Sequence, residues 1–200
     1  MDRSESLQDF LDTAFVALDR FADDVRSRRS VTKIFALLES PGPERTTPGN
    51  RLPVCDRYLP DALDLKSGHA ALQSFVASFA RLEPRLEWRT RPVYDSTASG
   101  NFLHGHANAM IVGPGGLEAR NDLWLGVSLM APRVRYPDHD HSPEETYLVL
   151  TDGAFMQEDH WFVPGVGGSF YNPPAIKHAM LSKETPLLAF WALLPDQRGH

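Results

Sequence analysis

His139 and His141 alternate with Asp138 and Asp140 in the run Y-P-D-H-D-H-S-P-E-E-T-Y, residues 136–147. On a strand, alternate side chains share a face, so the two imidazoles project together and the two aspartates project away. Glu145 follows His141 across a Ser142-Pro143 turn. Glu145 and Tyr147 form a second i, i+2 pair on the way into Leu148, Val149 and Leu150. His178, in N-P-P-A-I-K-H-A, is a further donor downstream. Three imidazoles and one carboxylate make a borderline ligand set for one divalent transition metal ion: Zn, Fe, Mn, Co or Ni. An H-x-H alone is often a surface pair. The carboxylate at ligand spacing and the turn before it favour a metal here.

Four protein ligands on an ion that accepts five or six leave positions for water or a substrate carboxylate, a catalytic rather than a structural layout. Tyr147 shares its strand face with Glu145, and Tyr136 stands three residues before His139. A nearby cation favours the phenolate, so either tyrosine is a candidate catalytic base for a carbon acid, Tyr147 ahead of Tyr136. The alternative is that both phenols simply pack and hydrogen-bond at a rim.

The spacing H-x-H-x3-E, followed by Gly167, Pro173, Ala175 and His178, resembles the two motifs of the cupin barrels. Departures fall at non-ligand positions: Arg133 and Ala175 stand where glycine is usual, Ser182 where asparagine is usual, and the closing glycine, Gly153, is one residue late. The tyrosine-flanked form, with a helical N-terminal half, is similar to the cupin-type dimethylsulfoniopropionate lyases of the DddQ type. That resemblance implies a small sulfonium carboxylate as substrate, split to dimethyl sulfide and acrylate by base-initiated β-elimination. A sulfonium cation calls for aromatic faces. Trp191 is the first candidate, then Trp124, Tyr171 and Trp161, each with plain core packing as its alternative. Two rival readings stay open: another metallocupin enzyme, an oxygenase or isomerase acting on a small carboxylate, and a non-catalytic cupin sensor.

Several elements must position these residues. Leu7, Phe10, Leu11, Ala14, Phe15, Leu18, Phe21 and Val25 recur at helical spacing and predict an amphipathic helix. Residues 30–38 and 67–82 predict a second and third helix, ended at Pro41 and Pro84. Residues 41–60 carry five prolines and read as a long irregular connection, a candidate lid. From Leu86 the period shortens to two, and nine or ten short strand-like pieces separated by Gly and Pro turns follow. The fold expected is mostly β: a cupin-like jelly-roll barrel over residues 85–200 with about three helices over 1–84, as a single domain.

The hydrophobic share of 42% and charged share of 23% are ordinary for a soluble globular chain. The net charge of −6 argues against a nucleic-acid partner, and the N-terminal helices lack a basic recognition face. One cysteine, Cys55, requires no oxidising compartment. The charged start and the absence of a long apolar run make a cytoplasmic location the expectation, without a membrane partner. Pairing into a homodimer is open. His104-Gly105-His106 lacks a carboxylate at ligand spacing and reads as a solvated strand or rim. His69 and His160 are lone and read as structural, and His200 is terminal.

Overall fold

A computed structural model of the chain describes residues 2–65 and 67–195; His200 lies outside them. Four α-helices come first: α1 (Glu5–Phe21), α2 (Val25–Leu37), α3 (Pro53–Leu63) and α4 (Ala70–Leu82). After the two-residue β1 (Trp88–Arg89) and a short helix α5 (Phe102–Gly105) come nine strands. They are β2 (His106–Val112), β3 (Trp124–Met130), β4 (Arg135–His139), β5 (Glu144–Val149), β6 (Gly153–Gln157), β7 (His160–Phe162), β8 (Ser169–Asn172), β9 (His178–Ser182) and β10 (Leu187–Leu194). They form two antiparallel sheets, β1-β2-β3-β10-β5-β8 and β4-β9-β6-β7, the double-sheet roll expected.

Alternation along β10 ties the helical half to the barrel. Phe190 points outward and meets Phe10, Phe75 and Phe79 of α1 and α4, with ring centres 6.1, 4.5 and 4.8 Å away. Trp191 therefore points inward. The aromatic stripe of α1 packs on the barrel through Phe10, while Phe15 stays 43% exposed beside Phe35.

Four helices replace the three expected. α3 was hidden by its prolines, yet Pro53 sits in the first turn, where a missing N–H costs nothing and a fixed φ helps. The preceding stretch is pinned rather than free. The Gly42 amide donates to Glu118, the Arg45 amide to the Leu117 carbonyl and the Asn50 amide to the Leu86 carbonyl. Residues 41–60 do not line the central cavity. The strand expected over 102–111 begins as α5, because its first residues turn beneath Tyr136 before the chain straightens.

The two non-glycine departures keep the turn geometry. Arg133 and Ala175 both adopt left-handed φ, 60° and 59°. The Ala175 amide donates to the His141 carbonyl at 2.8 Å, so one turn ties the second motif to the first. Among the described residues, no helix is long and apolar enough to cross a membrane.

Candidate active site

β4, the turn after it, β5 and β9 bring the candidate ligands together, and His139, His141 and Glu145 line one end of a cavity of about 310 Å³ between the sheets. His139 is the register partner of His178 across β4 and β9. Glu145 on β5 pairs with Asn172 on β8. His141, Glu145 and His178 form a group able to hold a metal ion, with ligand atoms within 4.8 Å of one another. His139 stands just outside that group, its ring centre 4.0 Å from that of His178 and 6.3 Å from that of His141.

Hydrogen bonding decides which nitrogens face inward. The Nδ1 atoms of His139, His141 and His178 each lie 2.9 Å from a backbone carbonyl, those of Pro137, Pro143 and Ile176. A carbonyl only accepts, so each Nδ1 carries a hydrogen and each Nε2 of a neutral ring keeps its lone pair. The Nε2 atoms of His141 and His178 both lie 3.4 Å from the same oxygen, Glu145 Oε2. His178 Nε2 is buried, and that contact is too poorly directed to make a hydrogen bond. Lone pairs converging on one buried point repel unless a cation sits among them, so the donor set fits a divalent ion.

The surroundings hold the carboxylate in place. Asn172 Nδ2 donates to Glu145 Oε2 at 2.8 Å, and Gln157 Nε2 donates to Asn172 Oδ1 at 2.7 Å. Burial pushes His139 well toward the neutral form and His178 in the same direction. Burial also lowers His141, but the Glu145 carboxylate beside it outweighs burial and the net shift is upward.

Tyr147 and Tyr136 both line the cavity. Tyr147 is fully enclosed; burial first and then the Glu145 charge push its phenol well above its ordinary value. Burial likewise raises Tyr136, opposed by the charge of Arg91, whose guanidinium lies 5.8 Å from the ring centre. Trp191 and Trp124 stand in the cavity wall with Met110, Met180 and Leu193.

Tyr171 and Trp161 are corrections, since neither lines the cavity. On β8, Asn172 faces in, so Tyr171 faces out. Its hydroxyl donates to Glu144 at 2.8 Å, and burial with that carboxylate pushes its phenol up to about 12. Trp161 is on β7, at the edge of its sheet, 37% exposed, with the Arg135 guanidinium 5.5 Å from its ring. His106 is also corrected: it is fully buried rather than solvated. Its Nε2 accepts the Arg91 amide at 2.8 Å, its Nδ1 meets the Phe102 carbonyl, and its ring stacks on Phe102. Asn172, Gln157, Asn108 and Ser128 were missed, because only strand register brings them to the site; Arg91, in the loop after β1, was missed as well.

The profile of the dimethylsulfoniopropionate lyases matches residues 26–189. The chain belongs to that family. It is 29% identical over 136 residues to a putative dimethylsulfoniopropionate lyase, DddL, of Cereibacter sphaeroides, covering 68% of this chain and 56% of that protein. The chain thus spans little more than half the length of that relative. It is also 29% identical over 159 residues to the dimethylsulfoniopropionate lyase DddQ of Ruegeria pomeroyi, covering 77% of this chain and 75% of that protein. The crystal structure of the Ruegeria pomeroyi DddQ superposes with a TM-score of 0.74 at 24% identity, over 99% of this chain and 95% of that one. A crystal structure reported for the lyases RdDddP and RnDddQII gives 0.70 at 21%, over 98% and 95%. These likenesses show the fold.

Proposed function

We propose that this chain is a metal-dependent carbon–sulfur lyase that cleaves dimethylsulfoniopropionate to dimethyl sulfide and acrylate. The observation that carries this reading is the convergence of His141, His178 and Glu145 on one buried point beside two phenols. His141, Glu145 and His178 would hold the ion, with His139 as fourth ligand. A divalent ion there supplies a Lewis acid for the substrate carboxylate, which makes the adjacent CH2 more acidic.

The chain's own groups do the rest. Tyr147 is the base: its oxygen takes the proton from the carbon next to the carboxylate. The electron pair left behind forms the carbon–carbon double bond. The C–S bond breaks with its pair on sulfur, giving neutral dimethyl sulfide and acrylate, and the proton passes from Tyr147 to solvent. Burial holds Tyr147 in the phenol form, so positive charge at the site is what makes it basic at neutral pH. Trp191 and Trp124 offer ring faces to the sulfonium, and Tyr136 orients the substrate.

Headspace detection of dimethyl sulfide from purified, metal-loaded protein with dimethylsulfoniopropionate tests the reading. Release at turnover rates supports it. No release, with oxygen consumed on a small carboxylate instead, replaces it with an oxygenase.

A further inference from the structure

A chain of hydrogen bonds crosses the cavity from one sheet to the other. Trp191 Nε1 donates to Ser128 Oγ at 3.1 Å. Ser128 Oγ donates to Asn108 Oδ1 at 2.7 Å. Asn108 Nδ2 donates to the Tyr136 oxygen at 3.1 Å. Asn108 and Ser128 are direct cross-strand partners on β2 and β3, while Tyr136 belongs to β4 in the opposite sheet. All four residues line the cavity.

The backbone is shaped for this chain. Trp191 pairs with Gly126, and a Cβ at 126 would lie 2.1 Å from the indole. Only glycine lets the ring lie across β3 and reach Ser128. At the far end, the Tyr136 ring is held edge-on by Phe102 and His106, with centres 5.0 and 5.5 Å away.

The sense of the chain follows from donor chemistry. An indole N–H can only donate, so Ser128 Oγ accepts from it. Ser128 then has one hydrogen to give, which goes to the amide oxygen of Asn108. That turns the amide NH2 toward Tyr136. With the amide reversed, the buried Ser128 hydrogen would have no acceptor within this chain.

We infer that Asn108 and Ser128 are positioning residues for Tyr136: they hold its oxygen as an acceptor and present its hydroxyl hydrogen to the cavity, where a ligand carboxylate receives it. The same bonds fix the plane of Trp191, so one network aligns the groups for both ends of a zwitterion. The inference rests on the reading of the cavity as a site for a sulfonium carboxylate.

A double-mutant cycle tests it, with Asn108→Leu, Tyr136→Phe and the double variant, all metal-loaded and checked for melting temperature. Two quantities are read: KM for dimethylsulfoniopropionate, and the Kd of acrylate by calorimetry. Asn108→Leu should weaken acrylate binding and raise KM by about three- to tenfold, the worth of one hydrogen bond. In the Tyr136→Phe background it should leave the acrylate Kd almost unchanged, because no hydroxyl remains to orient and acrylate has no cation for Trp191; this Kd is the quantity that decides the cycle. An equal loss in both backgrounds overturns the inference, as does no loss in either. Should Asn108→Leu fail to fold, Ser128→Ala is judged by the same cycle. The two readings fail separately: no dimethyl sulfide from the wild-type protein, with the acrylate coupling intact, removes the lyase and leaves the positioning network. A wild-type protein that neither binds acrylate nor releases dimethyl sulfide removes both.

Discussion

His139 and His178 sit opposite one another across β4 and β9, with ring centres 4.0 Å apart. This pairing brings segments almost forty residues apart into one ligand cluster. It also separates their roles, since His178 belongs to the tight three-atom group and His139 flanks it. His178→Ala should therefore yield protein without metal. His139→Ala should retain metal, bound more weakly than in the wild type, because the three converging ligands remain. Elemental analysis and metal titration of the two variants distinguish these outcomes.

Tyr147→Phe removes the proposed base and no member of the tight ligand group. It should keep its metal and melting temperature while turnover falls by at least about 100-fold, the usual scale of positioned acid–base catalysis. Headspace dimethyl sulfide, measured beside metal content, checks both halves of the statement.

Asn172 holds Glu145 Oε2, and Gln157 holds Asn172. Removing such a supporting group typically costs 10- to 100-fold in metal affinity. Asn172→Ala should show that loss in metal titration, and excess metal should restore most of its turnover.

Only the inward-facing aromatics should affect substrate binding. Trp191→Leu should raise KM by roughly tenfold, the worth of a partly desolvated cation–π contact. Tyr171→Phe and Trp161→Ala should leave KM unchanged, because neither ring reaches the cavity. Steady-state kinetics on the three variants settles the assignment.

How much could be read in advance depended on whether a signal is local. His139, His141, Glu145 and Tyr147 lie within nine residues, and strand alternation alone puts Glu145 and Tyr147 on one face. His178 required the distant motif. Tyr171 and Trp161 were misplaced because composition marks an aromatic but not which side of its strand it occupies. Asn172 at Glu145 and Asn108 at Tyr136 depend on pairing between strands far apart in sequence, which no local period reports. α3 was obscured by Pro53, whose first-turn role appears only once the helix is seen, and by Pro60 in its interior. His106 looked like a rim residue because nothing nearby in sequence shows that Phe102 stacks on it.

Ala175 carries left-handed strain at the turn that meets His141. Such a conformation costs a non-glycine residue about 1–2 kcal/mol, part of which glycine returns as unfolded-state entropy. Ala175→Gly should therefore raise stability by up to about 1 kcal/mol in denaturant unfolding, with metal binding unchanged.

The most direct test strips the metal. Protein taken through exhaustive chelation should release no dimethyl sulfide from dimethylsulfoniopropionate, and about one equivalent of a divalent transition ion should restore release. The same addition to His178→Ala should restore nothing. Undiminished release from wild-type protein shown by elemental analysis to be metal-free would contradict the account.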